Sequence, residues 1–589
     1  MARSGRRSAA RARRRSRREG FDRVQQDAPT RSWTVLAQDP AILGPNGRAL
    51  TTRVVVPAER LEAGPKGHRI HVIDFDAARD TYYTPRQSSL YDDPYEKVTD
   101  IDKLVRDPHF HQQNVYAITM ATLCEFQGAL GRPVGWGFDS PAHQLKVAPH
   151  AFADANAYYS RESESLNFGY FTGRSGRTVF TCLSHDIVAH ETAHALLDGL
   201  RRHFLRPSHV DQAAFHEGFA DLVALFSVFK ASEWIELGLT GLTRRGNLIR
   251  AADLDFDSLK NNVLFKLAKQ FGREQSFVRA DALRHSIDLD PSPVWLAHPS
   301  FQEPHTRGEI LVAAMTRAFL VVWCKRLERL GVDRNLPLNR AVVADEASTA
   351  AGQLLRVAIR ALDYLPPVDM TFDDYLSALL TADMQLYPDD SRYSYRTTLR
   401  DAFAAFGITP ANQGRADGAW DAPCEDMKFD YEGLHFESLQ RDPNTLFRFI
   451  WENREALGID RDAFTRVTCV RPCTRVSNEG FVLRETVVEY LQTLRVFARE
   501  LSDIGIKRPK GLSGQTFVPL YGGGTVIFDE FGRVKFHIGT GVRSSRQSQR
   551  IQSLYDRGAF NRDAEDRAHF AGLHRLRMLR RAGYPEEQW

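Results

Sequence analysis

Apolar positions repeat with a helical period on both sides of a polar cluster at residues 186–195. Ile187-Val188 precede His190-Glu191-Thr192-Ala193-His194, and Ala195-Leu196-Leu197 follow, a pattern that predicts a buried helix over about 184–204. A second periodic run, Phe219, Leu222, Val223, Leu225 and Phe226, begins at His216-Glu217 and is expected to pack antiparallel to the first. Residues 109–131 place Val115, Ile118, Leu123 and Phe126 on one side of another helix. His109 and His111 stand at its start and read as capping or surface residues. Between these helices, residues 133–179 alternate β-type residues with Gly and Ser, which predicts an antiparallel sheet with turns. Short β-type runs such as Arg53-Val54-Val55-Val56 and His71-Val72-Ile73-Asp74-Phe75 mark 21–108 as β-rich.

Helical patterning returns over 341–362, 372–382 and 395–406, interrupted by Pro366-Pro367 and Pro388. A Gly/Asp-rich linker is expected at 411–420. Beyond it the pattern predicts helices near 445–457 and 487–503, then a hairpin from 517–520 to 536–538 about Asp529-Glu530-Phe531-Gly532. The expected fold class is α+β. Its predicted parts are a leader at 1–20, a β-rich segment at 21–108, a metal-binding lobe at 109–300 with an insertion at 233–297, a helical lobe at 301–410, and a C-terminal α+β domain at 421–589.

With about 3.6 residues per turn, His190 and His194 lie on the same helix face, where two imidazoles can converge on one ion. Glu191 is displaced by about 100°, within reach of a water on that ion and placed as a general base. A catalytic zinc site needs a third protein ligand. Glu217 is the candidate, and Asp221, one turn later, is placed to fix the tautomer of a ligating histidine.

HExxH, a Glu roughly twenty residues on and an Asp four after it resemble the gluzincin metallopeptidases, and the thermolysin family in particular, over about 115–408. Val115-Tyr116-Ala117 to Gly131-Arg132 is similar to that family's first domain helix. Asn156-Ala157-Tyr158-Tyr159 is similar to its substrate-binding edge strand, followed by Leu166-Asn167-Phe168-Gly169. Pro304-His305-Thr306-Arg307-Gly308-Glu309-Ile310 is similar to the segment with its transition-state histidine. The resemblance implies a two-lobed zinc metalloendopeptidase: a β-rich lobe carrying the zinc helices, an all-α second lobe, and an extra α/β C-terminal domain. It also implies that Asn156 and the Ala157 carbonyl align a peptide and that His305 donates to the oxyanion. A helix-capping role for His305 is the alternative. The family's tyrosine between the ligand helices has no clear counterpart; Leu205 falls near its place, and His203 is a weaker substitute than a helix-terminal His.

Composition adds limits. The chain has 589 residues, 43% of them hydrophobic, enough for roughly three or four domains. Its 78 basic and 74 acidic residues leave a net charge of +4, too mild to imply nucleic acid. Arg-rich residues 1–19 lack interleaved aromatics and a following apolar run, so a solvated leader is expected and neither a secretory nor a twin-arginine signal. With no apolar stretch of roughly 18 residues, no membrane span is expected, and a cytoplasmic enzyme is the expectation. The absence of obvious room for an inhibitory pro-segment also departs from secreted thermolysin relatives.

Cys124, Cys182, Cys324, Cys424, Cys469 and Cys473 are too scattered for a disulfide framework, and Cys469 and Cys473 read as free thiols. Charged runs such as 265–270 suggest that the insertion is a lid or specificity subdomain. Its acids at Asp253, Asp255, Asp257 and at Asp288, Asp290 could bind calcium, but the trio lacks an EF-hand's glycine turn and final Glu, so solvated loops are favoured. Asp186 occupies a calcium-ligand position by resemblance, without evident companions. The expected partner is a peptide or protein substrate, with a protein partner at the C-terminal domain as a second candidate. The competing function is a zinc-binding pseudo-peptidase that acts as an interaction module.

Overall fold

A computed structural model describes residues 30–560 except 45–46, 88–92, 141–142, 174–175, 206–209, 262–285, 333–334, 424–427, 433, 436–441, 477–481, 557 and 559. The Arg-rich leader, the charged run 265–270 and Cys424 lie outside the described residues. The chain is mixed α+β. Among the described residues no helix is long and apolar enough to cross a membrane.

β1 (Thr30–Leu36) and β2 (Thr51–Pro57) form an antiparallel ribbon. A five-stranded sheet contains β3 (Ile70–Val72), β4 (Leu145–Phe152), β5 (Ala157–Ser160), β6 (Ser165–Thr172) and β7 (Thr178–Phe180). Its order is β3-β4-β6-β5, with β7 also paired to β6. β3–β4 and β4–β6 are parallel, whereas β5 and β7 run antiparallel to β6. The expected all-antiparallel sheet is therefore corrected to a mixed one. Alternation reveals a strand but not its partner's direction, and the long β3-to-β4 connection supplies the crossover that parallel pairing needs.

That crossover contains α1 (Pro108–Leu130), which Asp107 caps by accepting from His109 N and which Gly131 ends at φ 69°. Its Gln112, Gln113 and Asn114 are fully buried. Each is satisfied by a separate segment: Gln112 Nε2 donates to Asp74 Oδ2 (2.8 Å), Gln113 Nε2 to Thr34 O (2.9 Å), and Asn114 Nδ2 to Cys182 O (3.0 Å). These bonds register β1, the sheet and the turn before the next helix on one rod, and satisfy the three buried amides of α1.

α2 (His185–Leu200) packs on α1, α3 (Val210–Phe229) on α2, α4 (Pro304–Glu328) on α3, and α5 (Arg340–Ala361) on α1, α3 and α4, with α6 (Phe372–Leu386) against α5 and α7 (Tyr395–Ala404) against α4 and α6. α3 and α4 cross at Gly218 and Gly308. A Cβ on Gly218 would lie 2.9 Å from Gly308 O, and one on Gly308 would lie 2.9 Å from Ala214 O. Glycine at both positions lets the two backbones touch.

The C-terminal region holds α8 (Pro443–Glu452), the antiparallel meander β8 (Phe464–Val476), β9 (Val482–Phe497), β10 (Phe517–Phe528) and β11 (Val534–Thr540), then α9 (Arg546–Asp556). The hairpin about residues 529–532 is present, closed by Asp529 N to Arg533 O at 2.9 Å. The helix expected over 487–503 is instead mostly β9. This central strand is covered on both sides, by Leu446, Phe449 and Ile450 on one and by the main core on the other. Residues 485–492 are consequently buried without interruption, a pattern that periodicity cannot separate from a helix.

The segment 411–420 lies along α6. Ala411 N donates to Asp373 O (3.2 Å), Asn412 N to Ser377 Oγ (3.2 Å) and Trp420 N to Thr381 Oγ1 (2.8 Å), strapping the segment along α6.

Buried ion pairs bind the meander to the rest. Arg132 grips both oxygens of Asp363 at 2.7 Å, and Arg475 joins Asp363 to Glu485. Burial alone would raise the Asp363 carboxyl, but Arg132 and Arg475 hold it well below the usual carboxylate range. Glu489 accepts from Arg201 (2.7 Å) and Arg471 (2.6 Å), and Arg471 also donates to Leu200 O (2.8 Å). Arg201, at the end of α2, is buried against Glu489, and Arg471 of β8 bonds the final carbonyl of α2.

Candidate metal centre

α2 follows Ser184, whose Oγ donates to Asp186 Oδ1 at 2.7 Å. The helix is buried over most of its circumference, so His190 and His194 face protein rather than water. The His190 and His194 rings meet edge to face, with centroids 4.4 Å apart. From α3, Glu217 Oε2 lies 3.7 Å from both His190 Nε2 and His194 Nε2. A tetrahedral zinc with ligands at about 2.0–2.2 Å sets neighbouring donor atoms roughly 3.3–3.5 Å apart. Two imidazoles and a carboxylate at this spacing fit such an ion after small side-chain movements.

The outer ring nitrogens are also held. Asp221 Oδ1 is 2.8 Å from His190 Nδ1, and His216 Nδ1 is 2.8 Å from His194 Nδ1. With both Nδ1 atoms engaged as donors, both Nε2 atoms present lone pairs toward Glu217. Burial takes His216 down to about 4 despite the opposing charges of Glu217 and Asp198, so its neutral ring can accept from His194. Sequence reasoning assigned His216 no role. It adjoins Glu217 in sequence but meets a histidine from another helix, and no local spacing encodes that contact.

Glu191 is fully buried beside β5, and its Oε2 accepts from Tyr159 N at 3.0 Å. β5 forms a sheet edge, as the edge-strand resemblance implied. Asn156 and Ala157 stand at its start. Asn156 Oδ1 accepts from Ala157 N (2.9 Å), and Asn156 O accepts from Gly169 N (2.9 Å). The backbone group brought onto Glu191 is thus that of Tyr159, two residues beyond Ala157.

His305 joins the group from α4. Its Nε2 is 3.3 Å from Glu217 Oε2, a contact made by the close crossing at Gly218 and Gly308. The helix cap is Glu303, whose Oε2 accepts from Thr306 N at 2.9 Å; its Oε1 is 2.6 Å from His305 Nδ1. Burial would raise the Glu303 carboxyl, but the hydrogen bond and charge of His305, with the backbone amides, take it down to about 2. Glu303 was missed by sequence reasoning, although a carboxylate three residues before Thr306 is an N-cap signal. Leu205 ends the turn Arg202–Leu205, and the His203 carbonyl accepts from Gln212 Nε2 at 3.0 Å.

Among the described residues, His, Cys, Asp and Glu donors gather closely enough for a metal in two places: His190, His194 and Glu217, and His111, His150 and Cys182. His111 is therefore not a cap or surface residue, since only 2% of it is exposed. Two of the acids suggested for calcium have other roles. Asp253 pairs with Arg250 at 2.8 Å, and Asp255 caps a short helix through Ser258 N at 2.7 Å. The five described cysteines are free thiols. Among the described residues the fold offers two buried three-donor groups for metal chemistry, one with Glu191 and His305 beside it, and no protein-family model and no curated protein matches this chain.

Proposed function

We propose that the chain is a zinc-dependent metalloendopeptidase of thermolysin-like, two-lobed design. The observation that carries this reading is the convergence of His190, His194 and Glu217 beside a buried Glu191 and an oriented His305. His190, His194 and Glu217 would hold zinc, which when bound lowers the pKa of a water and polarises a carbonyl. Asp221 and His216 keep the two imidazoles turned toward the ion. Glu191 accepts the proton of the attacking water and returns it to the leaving amine. Tyr159 N–H holds one carboxylate oxygen during this exchange, and the edge of β5 offers backbone groups for aligning an extended peptide, with Asn156 and Ala157 at its start. His305, with Glu303 on its Nδ1, presents Nε2 to steady the developing oxyanion.

The test is a fluorogenic peptide panel with metal analysis on wild type and Glu191→Gln. The expected result is one zinc at this site in both proteins and cleavage by wild type alone. Undiminished cleavage by the variant would refute the mechanism. Zinc binding without cleavage by wild type would favour the interaction-module reading.

A further inference from the structure

The second cluster lies about α1 and the turn that leads into α2. His111 comes from α1, His150 from β4, and Cys182 from the turn Thr181–Leu183. All three are buried, and their donor atoms lie within 4.8 Å of one another. His150 Nδ1 is 2.7 Å from Asp74 Oδ1, His150 Nε2 is 2.8 Å from His111 Nδ1, and His111 Nε2 is 2.9 Å from Val105 O.

Three contacts in line need three protons if each is a hydrogen bond, yet two neutral imidazoles carry two. The ends are fixed: a backbone carbonyl can only accept, and the Asp74 carboxylate, whose Oδ2 already accepts from Gln112, accepts as well. The outer nitrogens, His150 Nδ1 and His111 Nε2, therefore take the two N–H groups. The inner nitrogens are left as facing lone pairs, with a cysteine sulfur beside them. Carboxylate and carbonyl on the outer nitrogens, with bare nitrogens turned inward, is the arrangement that prepares histidines for a metal.

We infer that His111 Nδ1, His150 Nε2 and Cys182 Sγ form a second transition-metal site, with Asp74 and the Val105 carbonyl orienting the two rings. A thiolate with two imidazoles selects a borderline or soft ion such as zinc over calcium or magnesium. Binding exchanges the Cys182 S–H proton for the metal, and that proton leaves to solvent. Zinc–nitrogen bonds of about 2.0–2.1 Å place two nitrogens roughly 3.3 Å apart, so the rings separate by about 0.5 Å on loading. Because Cys182 stands three residues before His185, the site would tie the sheet and α1 to the start of α2. This inference does not depend on peptide hydrolysis.

The full-length protein is loaded with zinc, and separately with cobalt(II). Two zinc equivalents per chain are expected, with a sulfur shell at about 2.3 Å in zinc-edge X-ray absorption. The cobalt form should show a near-ultraviolet thiolate-to-metal band that Cys182→Ser removes and that Glu217→Gln and Cys473→Ser retain. Should Cys182→Ser fail to fold, the zinc count and sulfur shell of the unmodified protein decide. A single equivalent without sulfur, or a band indifferent to Cys182→Ser, overturns the site and leaves a proton between the rings.

Discussion

The two histidine clusters have the same number of protein donors and similarly buried rings, but their surroundings differ. Around His190, His194 and Glu217 stand Glu191, a sheet edge and His305, groups able to move a proton or meet a developing charge. Around His111, His150 and Cys182 stand Asp74, the Val105 carbonyl and the rings of Phe180 and Tyr83, whose centroids lie 4.8 Å from His111 and 4.9 Å from His150 respectively. Donor sets of this kind can hold an ion in either place. Under the proposed function, what lies next to them would separate a reacting centre from a fastening one.

The sharpest way to break this contrast is Glu191→Gln. Peptide cleavage should fall by about 10²–10⁴-fold, the usual contribution of a general base, with unchanged metal content. A comparable fall in thermal stability would show that Glu191 is structural and erase the difference between the clusters.

His150→Ala should act on stability. It removes one of the two hydrogen bonds to the buried Asp74 carboxylate, at a cost of about 1.5–3 kcal/mol measured by urea unfolding. A loss below about 1 kcal/mol, the range of an exposed pair, would remove the fastening role.

Smaller effects address orientation. Asp221→Ala and His216→Ala should each weaken zinc binding at the first cluster by about 10–100-fold in competition with a chromophoric chelator. Unaltered affinity would mean that the outer nitrogens do not need these partners. Gly308→Ala forces a methyl against α3 and should cost about 1–3 kcal/mol while parting Glu217 from His305. A variant as stable as wild type would show that the crossing has room to spare.

Which features could be anticipated follows from where each contact is encoded. His190, Glu191 and His194 share one helix, and Glu217 and Asp221 share another, so a period of about 3.6 residues sets their relative directions before any folding. The helices of residues 304–404 and the hairpin at 529–532 were legible for the same reason: their signals are local.

β9 misled because a strand covered on both faces loses its alternation. His111, His150 and Cys182 looked like unrelated residues until α1, β4 and a short turn brought them together.

The sequence by itself determined that two helices carry histidines and carboxylates at spacings suited to holding a metal ion. Tertiary structure alone decided that Gly218 meets Gly308 and so draws His305 to Glu217, that His216 supports His194, and that a second donor cluster exists. Helical geometry fixes neighbours within a turn, whereas contacts between segments depend on the packing of whole elements.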